Sequence, residues 1–432
     1  MPPMPTTDTS VPRPNGLVLS PFRALRYAAD IDLRTVTSPP YDVIDADGVA
    51  ALEQASDENV VRLILPRDGR SEGDRYLRAA TTLEAWRASG VLRPDPEAAL
   101  YVYEQSSATH VQRGLLGALA LTPPEDGIVL PHENTMSGTV SDRLSLYTAV
   151  QADLEPIFLL YGGGGTASDV VAAPPGEPLL DVELADGLRH RLWAVTDAAV
   201  LRAVAADLHG RTSVIADGHH RYATYLQRQA AAWQAGRGAG PWDFGLTFLV
   251  DSTAFGPEVH PIHRVVPHIE AFELARRTAG AAAVHDLDGQ DLSDGVAALA
   301  SAGSDGPAFL LVSGDGGTMR LITSPDPDRL AAAMPAERSP AWRALDVSVL
   351  HAFLVADVWG LVDDVETVRY EHDAASAVAA AAASGGTAVL LNPTPVAAVT
   401  TVAAGGERMP RKSTLFTPKP RTGLVLRDHR DA

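Results

Sequence analysis

The stretch Ser213-Val214-Ile215-Ala216-Asp217-Gly218-His219-His220-Arg221-Tyr222-Ala223 decides how the chain is read. Val214 to Ala216 suits the end of a buried strand, and Asp217-Gly218 is a turn signal. From Tyr222 to Ala232 helix formers dominate, with Tyr222, Tyr225, Leu226 and Gln229 at helical spacing. The expected unit is strand, turn, helix. It places Gly218, His219 and His220 at a helix N-terminus, where backbone N–H groups and the positive end of the helix dipole favour an anion and a glycine lets a phosphate approach the main chain. Arg221 could clamp the same anion in a fork. Histidines at a turn often serve only as structural hydrogen-bonding groups, but five polar or special residues between an apolar strand and a helix point to a site.

A second such stretch lies upstream. Ile128-Val129-Leu130-Pro131-His132-Glu133-Asn134-Thr135 reads as a strand ending in groups able to act as acid, base or metal ligand, followed by Ser141-Asp142-Arg143 at the head of a helix. Glu133 suits a general base or a Mg²⁺ ligand and Asp142 a metal or hydroxyl ligand, while Ser141 or Asp142 would equally serve as a helix cap. The glycine run Gly162 to Gly165 follows the strand Pro156 to Tyr161 but lacks the lysine and spacing of a phosphate loop, so a flexible connector is expected there.

Elsewhere the pattern is mixed. Strands are expected at Val60 to Leu65 and Phe244 to Val250, and hairpins at 99–121, 180–195 and 308–323. Helices are expected over Gly73 to Ser89, Asp197 to Leu208, 270–283, 328–335 and Trp342 to Trp359. The fold class is therefore mixed α/β (α+β): a mixed-sheet domain carrying the strand-turn-helix phosphate site, plus a smaller C-terminal α/β part. The expected division is a disordered tail over 1–16, an N-terminal domain over 17–268 and a C-terminal domain over 269–432.

At 432 residues the chain exceeds what one core usually holds, and 46% apolar residues suffice for sizeable cores. A formal charge of −19 argues against long nucleic acid as a partner. The absence of cysteine excludes disulfides, thiolate metal sites and a cysteine nucleophile. Neither a signal peptide nor a membrane span is expected, and the reading is of a cytoplasmic protein with a small-molecule substrate. Among 35 basic residues the only lysines are Lys412 and Lys419. They belong to the one basic concentration of an acidic protein, with Arg411, Ser413 and Arg421, which suits either an anionic ligand or a solvated C-terminal face.

Eight motifs in order carry a resemblance: Pro21-Phe22-Arg23-Ala24, Ser38-Pro39-Pro40-Tyr41-Asp42-Val43-Ile44, His132-Glu133-Asn134-Thr135, Asp142-Arg143, Ala216-Asp217-Gly218-His219-His220-Arg221-Tyr222, Pro261-Ile262-His263-Arg264, Leu391-Asn392-Pro393-Thr394 and Met409-Pro410-Arg411-Lys412-Ser413-Thr414. Together they resemble the prokaryotic family labelled domain of unknown function 1015, over nearly the whole chain from about residue 17. The helix carries Ala223-Thr224 where that pattern has Glu-Thr. The Asp-Gly-His-His-Arg run is also similar to the signature of the ParB and sulfiredoxin superfamily, which includes free L-serine kinases.

What the second resemblance implies is a nucleotide-using phosphotransferase acting on a small hydroxyl-bearing metabolite, such as a kinase making O-phosphoserine from serine with ATP or ADP and Mg²⁺. On this chain Gly218, His219 and Arg221 would hold phosphates, and Arg411, Lys412 and Ser413 would offset charge. Glu133, Asp217 and His220 would carry the acid–base work, and Asn134 and Asp142 would hold Mg²⁺. Two other classes stay open: a metal-dependent hydrolase or nuclease using His132, Glu133, His219, His220 and His263, and a non-catalytic nucleotide-binding regulator.

Overall fold

The computed structural model describes residues 11–67, 73–287, 289–364 and 366–431. The chain divides into two compact units, residues 1–257 with 418–432, and residues 258–417. The second unit thus begins ten residues before the expected boundary at 268, and the last fifteen residues, with Lys419 and Arg421, belong to the first. The first ten residues of the expected tail lie outside the described residues, and 11–16 form no helix or strand.

The first unit is built on a nine-stranded mixed sheet: β1 (Leu19–Ser20), β2 (Leu100–Ser106), β3 (Val111–Ala120), β4 (Val129–Leu130), β5 (Ile157–Tyr161), β6 (Leu180–Glu183), β7 (Arg189–Val195), β8 (Ser213–Asp217) and β9 (Phe244–Asp251). Their spatial order is β4-β8-β5-β9-β3-β2-β7-β6, with β1 beside β3. The expected hairpins at 99–121 and 180–195 are β2–β3 and β6–β7, registered through Tyr101↔Leu116 and His190↔Val182. Near-continuous burial of β5 and β9 explains their unbroken apolar runs, since strands covered on both faces need no polar alternation.

β8 runs parallel to β4 and antiparallel to β5, and its register against β5 shifts between Ile215 and Asp217. A bulge there re-aims the side chain that follows it, here Asp217. Three helices matter for the site: α1 (Asp74–Ala88), α2 (Ser137–Val150) and α3 (His219–Gln234). The spacing of Tyr222, Tyr225, Gln229 and Ala232 buries one face of α3, which packs on α2 with the Tyr147 and Tyr225 rings 5.4 Å apart.

Val60 to Leu65, expected as a strand, is a short helix over Val61–Ile64. Four apolar residues have no period that separates the two, and Asn59 decides: its Oδ1 accepts the N–H of Val61 at 2.9 Å while its amide donates to the Thr35 carbonyl.

The second unit holds a six-stranded sheet of β10 (His263–Val266), β11 (Ala283–Asp286), β12 (Phe309–Ser313), β13 (Met319–Thr323), β14 (Arg369–Glu371) and β15 (Thr387–Leu391), in the order β11-β13-β12-β15-β10-β14. Its core gathers Val265, Leu299, Leu310, Val312 and Leu390. The helix expected over 270–283 ends at Thr278, and Ala283 already opens β11. The one expected over Trp342 to Trp359 breaks into Pro340–Arg343, Asp346–Ser348 and a π-helix over Val349–Val358, where the Trp359 N–H reaches back five residues to the Leu354 carbonyl. No described helix is long and apolar enough to cross a membrane.

Candidate functional site

The turn after β8 forms as its residues dictate. Gly218 is the N-cap of α3 with φ 95°, a left-handed conformation natural to glycine, and a Cβ there would lie 3.2 Å from the Arg221 guanidinium. Arg221, one turn further, is 1% exposed. It donates to Asp217 Oδ2 at 2.5 Å and to the Pro156 carbonyl at 2.6 Å. The fork expected to clamp a ligand therefore faces inward and fixes Asp217. Burial opposes its charge, but Asp217, Glu155 and Asp42 outweigh that and push its pKa above the usual arginine range.

The other oxygen of Asp217 meets Lys419, whose ammonium lies 2.7 Å from Asp217 Oδ1 and 2.9 Å from Asp42 Oδ2. Three distant segments thus converge: the Ser38-Pro39-Pro40-Tyr41-Asp42 loop, the Asp217 to Arg221 turn, and the segment around Lys419. Burial works against the lysine's charge, yet the two carboxylates raise its pKa above the ordinary value. Burial likewise pushes Asp42 up, and Lys419 and Arg221 overcome this to hold it below the usual carboxylate range. Beneath them Glu155 is fully buried, its Oε1 accepting the Tyr41 N–H at 2.9 Å and the Thr422 hydroxyl at 3.3 Å. Burial raises the Glu155 carboxyl against the pull of Arg221 and Arg143.

The two histidines look the other way, toward the 132–136 loop. His219 Nε2 accepts the His132 N–H at 3.2 Å, and His220 Nε2 accepts the Met136 N–H at 3.0 Å. A ring nitrogen that accepts leaves the proton on Nδ1, so both are positioned as Nδ1–H donors. His219 Nδ1 lies 3.8 Å from Glu133 Oε2, and that carboxylate keeps about a third of its surface exposed. The turn and the Glu133 loop are therefore held together by the histidine pair, and His220's Nε2 is taken by main chain.

The expected metal ligands are not brought together. Asn134 is exposed on its loop, while Asp142 is occupied by Arg143 at 2.6 Å, Tyr76 at 2.7 Å and Arg75 at 2.8 Å. Arg143 in turn donates to the Ile64 carbonyl and stacks 4.6 Å over the Tyr41 ring. Asp142 does the work of an ion-pair hub rather than a cap or a ligand, and its donors, Arg143 foremost, hold it low against the upward push of burial. Among the described residues no group of three His, Asp or Glu side chains is arranged to hold a metal ion. Asp42 and Asp217 are likewise paired, with the Lys419 ammonium between them. His263 and the Arg411-Lys412-Ser413 run belong to the second unit. There His263 Nδ1 accepts the Leu391 N–H, and Arg264 donates to the carbonyls of Arg411 and Lys412.

Sequence reading named Tyr41 and Asp42 only as part of a motif and did not single out Glu155. Lys419 had one usable signal, as one of two lysines in an arginine-rich chain.

No curated protein matches the chain. Among solved structures it is similar to a free serine kinase variant in complex with ADP, at 13% identity over 70% of this chain and 90% of that one, with a TM-score of 0.34. It is also similar to a conserved hypothetical protein from Pyrococcus furiosus at 14% identity, over 70% and 94%, with a TM-score of 0.30. C-terminally truncated SbnI from Staphylococcus aureus matches at 10% identity, over 72% and 86%, with a TM-score of 0.33. The family model described as protein of unknown function (DUF1015) matches residues 19–348, and the chain belongs to that family.

Proposed function

We propose that the chain is a nucleotide-dependent phosphotransferase acting on a small hydroxyl-bearing metabolite, with free L-serine as acceptor and O-phosphoserine as product. The observation that carries this reading is Lys419, placed between Asp42 and Asp217 at the glycine-capped N-terminus of α3. A bound nucleoside di- or triphosphate supplies the phosphoryl group. The Gly218 main chain, the positive end of α3 and the Lys419 ammonium are the groups suited to hold phosphate oxygens. Asp217 has both oxygens bonded to cations, Arg221 and Lys419, and serves to position them. Glu133, the partly exposed carboxylate beside His219, is the group to receive the acceptor's proton. The oxygen–phosphorus bond to the acceptor forms as the bond to the leaving phosphate oxygen breaks. Phosphoryl transfer is largely positioning and charge stabilisation, so this inventory meets its chemical demands without a further nucleophile.

The test is incubation of the full chain with L-serine and ATP or ADP, with phosphorus NMR as readout. O-phosphoserine formed by the native chain and lost in both Lys419→Met and Glu133→Gln is the expected result. Absence of product with either nucleotide, together with no nucleotide binding in equilibrium dialysis, would sink the proposal. Binding without turnover would turn it into the regulator reading.

A further inference from the structure

The second unit contains a buried arginine with no described carboxylate in direct contact, Asp363 acting on it only at a distance. Arg264 on β10 is 1% exposed, and among the described residues no Asp or Glu lies within ion-pair distance of it. Its guanidinium donates to the carbonyls of Ile262, Arg411 and Lys412 and, through Nε, to His351 Nε2 at 3.1 Å. Its face lies 4.9 Å from the centre of the Tyr370 ring. Burial of a cation is costly, and here it outweighs the pull of Tyr370 and Asp363 and draws the Arg264 pKa down to about 10. The surroundings are short of one negative charge.

A cavity of roughly 280 Å³ opens against this arginine's neighbours. Its walls are Trp342, Tyr370, Pro410 and Ala352, with Arg411, His351 and Asp363 as the polar groups. His351 accepts from Arg264 on Nε2, which puts its proton on Nδ1, 3.0 Å from Asp363 Oδ2. Asp363 is held low by His351 foremost, with Arg264 and the exposed rim cation Arg411 adding to the pull, so one carboxylate answers both arginines. The count of fixed charges is two arginines against one aspartate. His351 and Ala352 come from the π-helix Val349–Val358, a rare geometry that occurs frequently at functional sites. A mostly apolar, aromatic-walled cavity with a few convergent polar groups and a net positive charge has the make-up of a small-molecule pocket.

We propose that this cavity binds a small organic carboxylate with an apolar body: the carboxylate on Arg411, above the charge of Arg264, and the body between Trp342 and Tyr370. The site is independent of the Lys419, Asp217 and Glu133 groups proposed for phosphoryl transfer, which belong to the first unit; Arg411, expected from the sequence to offset charge in that reaction, is assigned to this cavity instead. A bidentate guanidinium–carboxylate pair supplies direction, and the aromatic walls supply apolar contact.

The test uses the full chain, titrated with benzoate, 3-phenylpropanoate and 4-methylpentanoate, with phenethylamine and inorganic phosphate as the opposite-charge and bare-anion comparisons. Tryptophan fluorescence and equilibrium dialysis are read together. At least one carboxylate should bind saturably and change the fluorescence, the change disappearing in Trp342→Phe. Arg411→Gln should weaken binding at least tenfold with little change in the thermal midpoint, because Arg411 is exposed and its charge acts on Asp363 and Tyr370 only at a distance. The proposal is overturned if none of the three carboxylates binds, if phenethylamine or phosphate binds as well as they do, or if Arg411→Gln binds like the native chain.

Discussion

The Lys419 ammonium lies 2.7 Å from Asp217 Oδ1, joining the C-terminal segment of the first unit to the turn that opens α3. The same ammonium reaches Asp42. The sign of the pH dependence follows from the two shifts. Asp42 is held below its ordinary value, so its contribution is present at neutral pH and is lost as pH falls from about 3.9 through the lower folded value. Lys419 is raised, so its contribution is complete below about 10.4 and is lost as pH rises through the folded value. Lys419→Met should therefore lower the thermal midpoint most between about pH 5 and 10, with the gap to the native chain closing below about pH 4. A gap that stays constant down to pH 3 would show that the ion pairs are not its source.

Asp153 makes a second, purely structural junction. It is fully buried and accepts from Arg228 at 2.5 Å, Arg427 at 2.9 Å and the Leu246 N–H at 3.1 Å, with His429 at 3.2 Å. Burial penalises this carboxylate, but Arg228 and His429 lead the groups that hold it far below the usual range. Removing it leaves two buried guanidinium groups without their counter-charge, so Asp153→Ala should cost about 3 to 5 kcal/mol in urea unfolding. A loss under about 1 kcal/mol would mean that water or rearrangement replaces the carboxylate.

These two junctions mark what sequence could and could not convey. The strand-turn-helix around Asp217 was legible because strand, turn and helix signals follow one another within about twenty residues. The resemblance to the DUF1015 family was legible because eight short motifs keep their order. The pairings of Lys419, Asp42, Asp153 and Glu155 were not, because each joins a single charged residue to partners far along the chain, and pairing at that range leaves no period or spacing. Arg221 was legible as part of a motif but not in direction. The fork that seemed made for a ligand turns inward, since the bulge at Ile215 to Asp217 aims a carboxylate at it.

Gly218 tests the turn itself. Its φ of 95° is one that an alanine adopts only at a cost of about 1 to 2 kcal/mol, and the added methyl would press on the Arg221 guanidinium at 3.2 Å. Gly218→Ala should therefore lower stability by about that amount and weaken nucleotide binding more than Gly210→Ala, a glycine whose added methyl meets nothing within 4 Å. Equal nucleotide affinity in both variants would separate the turn from phosphate binding.

The glycine run 162–165 invites the sharpest contrast, because the connector expected there is anchored. Arg211 donates to the carbonyls of Gly162, Gly163 and Gly164, and Asp251 packs under the run. Burial pushes the Asp251 carboxyl up, but hydrogen bonds from Ser168, Thr253 and Ala254 hold it down at about 2. A methyl on Gly163 would fall 1.9 Å from Asp251 Oδ1, whereas one on Gly162 meets nothing within 4 Å. In Gly163→Ala the carboxylate must leave its donors, which should cost on the order of 3 kcal/mol. Gly162→Ala restricts only the unfolded chain and should be neutral or stabilising by up to about 0.5 kcal/mol. Denaturant unfolding of the two variants separates the cases. Similar small effects would mean that the run moves freely, and a large loss confined to Gly163→Ala would show that this glycine is required for the close approach of Asp251.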